Sequence, residues 1–252
     1  MLFYGKTDVG KRRAANQDDF IIKTYSGDTL VAVVCDGMGG ANGGNIASAV
    51  ASSAFVRKLD EAEAEHSAFF DLSEDDIPAL LDEAAAEANI SVYDKSGEDP
   101  SLIGMGTTLV GCILRGEALF VVNIGDSRLY IVRADGTIEQ VSHDHSYVQY
   151  LVDLGKMTPE EAKNSKNKNL ITRAVGTERN VEADTFIAEL CHGDSVVICS
   201  DGLSNQLDDS EIADIVSSAA EAGDLESACE SLVDLANERG GPDNITSVIL
   251  SI

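Results

Sequence analysis

The stretch VAVVCDGMGGANGG, residues 31–44, joins an apolar run to an aspartate and then to five glycines in eight positions. The run VAVVC has the length and the β-branched content of a buried strand, so we predict a strand that ends at Asp36. Glycines that follow a strand indicate that the backbone turns tightly or lies close to another group. A carboxylate held beside bare backbone is then either part of an ordinary turn or a ligand for a cation.

Strands and helices occur in blocks on either side of this stretch. We predict strands at 2–7, 20–25, 29–36, 106–115, 118–125, 128–133, 137–141, 181–190, 195–201 and 244–252. We predict helices at 45–59, 76–96, 147–155, 209–223 and 225–240. Turns of two or three residues, such as those at 115–117 and 134–136, join only antiparallel neighbours. The order therefore predicts an α+β fold with antiparallel sheets and packed helix pairs, and it argues against a doubly wound nucleotide-binding fold.

The chain is strongly acidic. Its 252 residues include 18 basic and 44 acidic side chains, which gives a formal net charge of −26. This charge argues against nucleic acid and against an anionic membrane as the main partner, and it suits a protein that collects divalent cations. A chain of this length can bury a full core in one domain, so we predict a single domain over residues 1–252.

Cysteine usage and the first residues indicate the compartment. The five cysteines show no CxxC spacing, and Cys35, Cys112 and Cys199 lie inside apolar runs. We interpret the cysteines as buried thiols in a reducing cytosol. The first thirteen residues do not have the charge order of a signal peptide, and no window reaches the ~20 apolar residues of a membrane span. We therefore expect a cytoplasmic protein.

Five aspartates lie at the ends of predicted strands: Asp18, Asp36, Asp126, Asp201 and Asp243. One aspartate in such a place has an ordinary structural explanation, whereas five of them, several beside glycine, indicate a common site. Carboxylates gathered in one place repel one another unless a cation holds them. Oxygen ligands without histidine or thiolate select magnesium or manganese over zinc, and two such ions form a site for phosphoryl hydrolysis.

Eight stretches of the chain match one family in the family's order and cover almost the whole chain. They are RRAANQD (12–18), DGMGG (36–40), GMGTTLVG (104–111), NIGDSRLY (123–130), HDHSYVQYLVDLG (143–155), LITRAVGT (170–177), SDGLSNQL (200–207) and GGPDNITSVIL (240–250). On these residues the chain resembles the metal-dependent serine/threonine protein phosphatases of type 2C, in their bacterial branch. The resemblance implies a central antiparallel β-sandwich flanked by helix pairs in α-β-β-α layers. It also implies a metal site at one edge of the sandwich, with a flap segment beside it at about 143–180.

The implied activity is hydrolysis of phosphoserine and phosphothreonine in proteins by a hydroxide that bridges two Mn²⁺ or Mg²⁺ ions. In this resemblance Asp36 bridges both ions and Gly37 is a ligand through its backbone carbonyl. Asp201 and Asp243 bind the first ion, and Asp18 holds metal directly or through water. The implied partners are phosphoproteins, substrates of a cognate serine/threonine kinase, and the implied state is a monomer.

Two further roles follow from the same resemblance. Asp126, together with Asp201, can hold a third and weaker ion. Arg13 grips the substrate phosphate, and a guanidinium suits this task because its fork matches phosphate oxygens in a way that lysine cannot. Met38 stands where many eukaryotic relatives carry a histidine proposed as general acid, so a local histidine is missing from this motif.

Other chemistries fit the sequence less well. A cysteine phosphatase needs Cys-x5-Arg, and none of the five cysteines has arginine at that spacing. The pair His143-Asp144 matches HD hydrolases, but a chain with four histidines is short of ligands for a histidine-rich site. We expect His143 and His145 to be hydrogen-bonding residues at the start of the helix at 147–155. The alternative function is a catalytically inert phosphatase-like scaffold or phosphoprotein-binding module, which would be expected to lose metal aspartates.

The segment KNSKNKNLITR, residues 163–173, concentrates basic side chains in an acidic protein. Lys163, Lys166, Lys168 and Arg173 lie in these eleven residues with no acid among them. The family often has His-Pro in this region, and this chain has neither. We interpret the segment as a cationic lip that steers phosphate toward Arg13, with an ordinary solvated loop as the alternative.

Overall fold

The apolar run of residues 31–35 lies near the centre of one of two antiparallel sheets. In the computed structural model, which describes residues 1–66 and 72–252, the strands are β1 (Leu2–Asp8), β2 (Asp18–Tyr25), β3 (Thr29–Met38), β4 (Gly106–Thr107), β5 (Leu109–Arg115), β6 (Ala118–Ile124), β7 (Arg128–Val132), β8 (Ile138–Gln140), β9 (Asp184–Glu189), β10 (Ser195–Cys199) and β11 (Ile245–Ser251). One sheet has the order β1-β11-β10-β7-β8, and the other has the order β2-β3-β5-β6-β9 with β4 added to β3. All of these pairings are antiparallel.

The helices are α1 (Gly40–His66), α2 (Ile77–Glu98), α3 (Tyr147–Asp153), α4 (Pro159–Lys163), α5 (Asp201–Ser204), α6 (Asp209–Ala222) and α7 (Leu225–Glu238). Two helix pairs, α1 with α2 and α6 with α7, cover the outer faces of the two sheets, and shorter helices lie in the connections. Helix α6 begins with a capping box of Asp208 and Glu211 and ends at Gly223, which has the left-handed φ of 70°. Such caps satisfy the free backbone groups at helix ends, and they bound the helix predicted at 209–223.

Strand β3 shows how the layers are built. Its residues Val31, Val33 and Cys35 belong to the core under α1 and α2. Its alternate residues, among them Ala32 and Val34, belong to the core between the two sheets. This division follows from the two-residue period of a strand, and it explains why the run is apolar at every position. A third core lies between the other sheet and the pair α6 and α7.

These layers confirm the predicted α+β class and the sandwich flanked by helix pairs. The predicted end of β3 at Asp36 is wrong, because Gly37 and Met38 pair with Thr107 and Gly106 and carry the strand two residues further. The predicted single strand at 106–115 is divided at Thr108 for the same reason. The glycine-rich stretch then opens α1 at residue 40 instead of forming a longer turn.

Smaller differences concern short helices and one cysteine. Helices α4 and α5 were not predicted, since five and four residues give too little periodicity to recognise. Four cysteines are buried, but Cys191 is exposed, so the prediction of buried thiols is wrong for that residue. In the described part of the chain, no helix combines the length and the apolar character needed to cross a bilayer.

Candidate metal centre

A cavity of about 390 Å³ opens at the end of the sandwich where β3, β6 and β10 finish and β11 begins. Predicted site residues that line it are Arg13, Asp36, Gly37, Asp126, Asp201 and Asp243. Both sheets contribute to this set, because Asp36 belongs to β3 whereas Asp201 and Asp243 adjoin β10 and β11. The cavity therefore brings together side chains that are more than 200 positions apart in the sequence.

Asp18 lies beneath the cavity wall, not in it. It is the cross-strand partner of Asp36 in the register of β2 and β3. Its Oδ2 accepts hydrogen bonds from Ser200 Oγ at 2.7 Å and from Thr246 Oγ1 at 2.6 Å. Its Oδ1 is buried and has no hydrogen-bond partner among the described residues. A buried carboxylate oxygen without a partner is a strong acceptor site, and this placement favours contact with metal through water over direct ligation.

Burial raises the pKa of Asp18, Asp36, Asp126 and Asp201, and neighbouring carboxylates raise it further. The pKa of Asp36 rises well above its ordinary value. The pKa of Asp126 rises to about 8, and next to burial the largest cause is the charge of Asp201. Burial raises the pKa of Asp18 and of Asp201 to about 6, although a hydrogen bond with Asp36 partly offsets the rise at Asp201. The carboxylates therefore repel one another, and cations would relieve that repulsion.

The donor set fits hard divalent cations. Among the side chains that the structure describes, no three His, Cys, Asp or Glu come close enough to hold one ion by themselves. Each ion of a pair would therefore need backbone oxygen and water as well as carboxylates, as Mg²⁺ and Mn²⁺ accept. Gly37 suits the backbone role, because a Cβ there would fall 2.5 Å from the carbonyl oxygen of Gln17. Only glycine allows the chain this close approach.

Arg13 lies at the edge of the cavity. Its Nη2 donates a hydrogen bond to Asp243 Oδ2 at 2.7 Å, and its side chain is 49% exposed. Asn244 fixes the loop that carries it, since the Asn244 side chain donates to Ala15 O at 3.0 Å and accepts from Gln17 N at 2.9 Å. Sequence reasoning assigned no role to Asn244, although the motif GGPDNITSVIL contains it.

Thr108 connects two of the aspartates and was also missed. Its N–H donates to the carbonyl oxygen of Asp36 at 2.9 Å, and its Oγ1 accepts from the N–H of Asp36 at 2.9 Å. The same hydroxyl lies 2.7 Å from Ser127 Oγ, next to Asp126. The threonine therefore fixes the β3 end and the loop after β6 relative to each other.

The segment 143–180 lies beside this cavity. Asn169 and Ile171, neither of which was predicted as a site residue, line the cavity wall from that segment. A second cavity of about 320 Å³ lies between α3, α4 and the body of the protein, and it shares Asp126 and Asp201 with the first. The metal centre and the second cavity are thus neighbours across these two carboxylates.

The cationic lip is smaller than the sequence suggests. Lys163 forms an ion pair with Asp208, and Arg173 donates to Asp184 Oδ1 at 2.6 Å. Lys168 lines the second cavity, and its charge lowers the pKa of Asp201, which partly offsets the rise caused by burial. Of the four predicted cations, Lys163 and Lys168 thus line the cavity shared with Asp126 and Asp201, and Lys163 is paired with Asp208.

The pair His143-Asp144 does not form an HD-type metal site. His143 Nε2 lies 2.9 Å from Asp153 Oδ2, and the Asp144 carboxylate accepts from Arg128 Nε at 3.0 Å and from Arg128 Nη2 at 2.7 Å. Each of these side chains has a partner in the segment or on β7. The predicted hydrogen-bonding role of His143 is confirmed.

The comparison with protein families agrees with this geometry. The family model described as Protein phosphatase 2C matches residues 9–237. The serine/threonine phosphatase stp of Listeria welshimeri is 34% identical over 245 residues, which cover 97% of this chain and 93% of the relative. The chain belongs to the protein phosphatase 2C family.

Solved structures extend the likeness to the fold. A crystal structure of the Mycobacterium tuberculosis serine/threonine phosphatase PstP/Ppp is similar with a TM-score of 0.86 and 33% identity, over 100% of this chain and 99% of that one. A crystal structure of the catalytic domain of PstP in complex with two manganese ions is similar with a TM-score of 0.82 and 33% identity, over 98% of this chain and 96% of that one. The α-β-β-α arrangement is therefore that of the bacterial members of the family.

Proposed function

We propose that this protein hydrolyses phosphoserine and phosphothreonine in proteins with the help of two Mn²⁺ or Mg²⁺ ions. One observation carries the proposal: a single cavity is lined by Asp36, Asp126, Asp201 and Asp243 together with Arg13. Its acidic lining suits divalent cations, and the guanidinium at its edge suits a phosphate. The PstP catalytic domain with two manganese ions, a similar structure, supports the choice of metal.

The residues around the cavity have different roles in the proposed reaction. Asp36, with Asp18 behind it, faces Asp201 and Asp243 from the opposite sheet, so ions held between them are shared by both halves of the sandwich. Gly37 contributes backbone oxygen at the same place. Two bound divalent ions would lower the pKa of a coordinated water and neutralise charge that develops on the phosphoryl oxygens. Arg13 orients the phosphate with its guanidinium fork.

Met38 lines the cavity where a histidine general acid would be expected in eukaryotic relatives. Proton delivery to the leaving alcohol therefore needs water or a more distant group. The lack of a nearby acid should slow the hydrolysis of phosphoserine more than that of activated esters, because the leaving groups of activated esters need no proton.

Turnover of p-nitrophenyl phosphate and of a phosphothreonine peptide with added Mn²⁺, with and without EDTA, tests the proposal. We expect activity that requires Mn²⁺ and is lost in excess chelator. Full activity in excess EDTA would contradict it. An inert scaffold would bind the phosphopeptide without releasing phosphate, so the same assay separates the two functions. The presence of all five predicted aspartates in or beneath one cavity disfavours the scaffold.

The proposal extends to organisation and partners. Residues 1–252 act as one catalytic domain, and the segment at about 143–180 acts as the flap beside the metal centre. The substrates are cytoplasmic proteins phosphorylated by a cognate serine/threonine kinase. The enzyme acts as a monomer. Mixing the protein with phosphoproteins made by candidate kinases, followed by phosphosite mass spectrometry, tests the substrate class.

A further inference from the structure

His145 is a buried side chain of the segment 143–180 that the proposed reaction does not use. It is 5% exposed and lies between Gly125 and Asp184. The N–H of Gly125 donates to His145 Nδ1 at 3.1 Å. On the other side of the ring, His145 Nε2 lies 3.1 Å from Asp184 Oδ2. One imidazole therefore connects the loop that precedes Asp126 with the start of β9.

These contacts define the tautomer of the ring. Because Gly125 N–H is a donor, Nδ1 must accept and cannot carry a proton. The proton of the neutral ring then lies on Nε2, where it is donated to Asp184. Arg173 Nη1 donates to Asp184 Oδ1 at 2.6 Å and also lies 3.2 Å from His145 Nε2. Because Nδ1 accepts from Gly125, Nε2 carries the proton and cannot accept from the guanidinium, which therefore holds the Asp184 carboxylate in place. The ring is thus oriented by an acid in the way that an acid orients a histidine bound to metal.

The backbone around Gly125 is held from both sides as well. His145 N donates to Gly125 O at 2.9 Å, so residue 145 contacts both polar backbone groups of the glycine. Gly125 has a φ of 114°, and a Cβ there would lie 2.6 Å from Thr108 Cγ2. A side chain is therefore excluded, and the peptide that leads into Asp126 is confined between His145 and Thr108.

We propose that His145 is a positioning residue for Asp126: the hydrogen bond from Gly125 N–H to Nδ1 fixes the direction of the Asp126 carboxylate toward the weaker metal site. The inference rests on the proposed function, because it requires Asp126 to be a metal ligand. It also joins the flap to the metal centre, since Thr172 N donates to His145 O at 2.7 Å. Displacement of residues 171–173 would thus reach Asp126 through residue 145, whose backbone they contact and whose ring contacts Gly125.

Two substitutions separate the two sides of the ring. In His145→Asn the side-chain oxygen falls near the place of Nδ1, so it accepts from Gly125 but no longer reaches Asp184. In His145→Gln the longer amide reaches Asp184 and leaves the buried N–H of Gly125 without a partner. Both variants are uncharged and lose the same ring, so each controls for the other.

The measurement is Mn²⁺ titration by calorimetry, with the melting temperature recorded for each variant. We expect His145→Gln to weaken the Asp126-dependent binding event about tenfold, as the loss of one hydrogen bond to a buried donor implies. We expect His145→Asn to stay within about threefold of wild type, because the acceptor is kept. Equal affinities in both variants, or losses that follow the melting temperature and not the side of the ring, would overturn the inference.

Two controls keep the outcomes distinct. If Asp126→Ala leaves the weaker binding event intact, the proposed metal assignment fails. If Asp126→Ala removes that event while His145→Gln keeps it, only the positioning role fails. Should His145→Gln not fold, ¹⁵N NMR of the wild-type imidazole decides, since the inference requires the proton on Nε2 and a proton on Nδ1 would refute it.

Discussion

Arg13 and Asp243 form an ion pair, with Nη2 donating to Oδ2 across 2.7 Å at the edge of the metal cavity. The Arg13 side chain is about half exposed, so the pair is worth at most ~1 kcal/mol and is easily exchanged. A cation on Asp243 would compete for that carboxylate and release the guanidinium. Metal binding would then make Arg13 available to the substrate phosphate.

Arg13→Lys should raise KM for a phosphopeptide and lower kcat/KM by about 10- to 100-fold, because a point charge replaces a fork that makes two charge-assisted hydrogen bonds. Steady-state kinetics with saturating Mn²⁺ measures this. Arg12→Lys is the matched control, since Arg12 is the exposed neighbour in the same loop. Equal effects of the two substitutions would contradict the role of Arg13.

Asp36→Asn should reduce turnover to below about 1% of wild type, because the amide removes charge from the carboxylate shared by the two proposed ions. Calorimetry should show weakened Mn²⁺ binding in the same variant. Asp214→Asn, an exposed position on α6, removes the same charge far from the cavity. A variant at residue 36 that binds Mn²⁺ like wild type would refute the ligand assignment.

Asp126→Ala should keep the two tighter ions and lose the weaker one, because Asp126 is proposed to contribute only to the third site. Turnover should fall while the dependence of activity on low Mn²⁺ concentration stays unchanged. Calorimetry and kinetics on one sample measure both. Loss of all metal binding would show that residue 126 has a larger role than proposed.

Lys168→Glu should lower kcat/KM for a phosphopeptide more than kcat, and the deficit should shrink as salt rises, because steering by charge acts on association. Lys166→Glu is the control: it makes the same change two residues away, at an exposed side chain. Lys163→Glu should have a weaker effect on kinetics, since Lys163 is already paired with Asp208. Equal losses of kcat/KM at all three positions would show that only the net charge of the protein matters, and would contradict a specific role of Lys168.

The metal-free protein should lose stability as pH rises from about 4 to about 8. A carboxyl whose pKa is raised in the native state binds more protons there than in the unfolded chain, so the free energy of unfolding falls with pH between the two pKa values. For Asp126 these are 3.8 and about 8. For Asp18 and Asp201 the native value is about 6.

Melting temperatures in EDTA at constant ionic strength, from pH 5.5 to 8.5, measure this slope. Asp126→Asn should flatten the upper part of the curve, because an amide does not titrate. The comparison between the two proteins separates this effect from the general repulsion of a chain with a net charge of −26. Parallel curves for both proteins would contradict the raised pKa of Asp126.

Local patterns account for what the sequence predicted correctly. The apolar run at 31–35 indicated a buried strand, and residues 209–223 indicated the helix that forms α6. The five aspartates that lie in or beneath one cavity were singled out from their place at strand ends and from the family motifs. Each of these signals lies within a few neighbouring residues.

Contacts distant in sequence explain what was missed. The end of β3 depends on β4, some 70 residues later, and the roles of Asn244 and Thr108 depend on loops that only the fold brings near. The lip was overestimated because the partner of Lys163 lies 45 residues away, at Asp208. Composition within a segment cannot show such pairings.

The pairing of β1 with β11 has a consequence for how the protein is made. Arg13 follows β1 and Asp243 precedes β11, so the ribosome adds Asp243 to the chain 230 residues after Arg13. At ~5–20 residues per second this interval lasts roughly 10–50 s. During elongation the nascent chain therefore carries Asp18 and Asp36 without Asp201 and Asp243, so the proposed metal centre is incomplete. The proposed site is complete only after Asp243 and the strand β11 that follows it have been made.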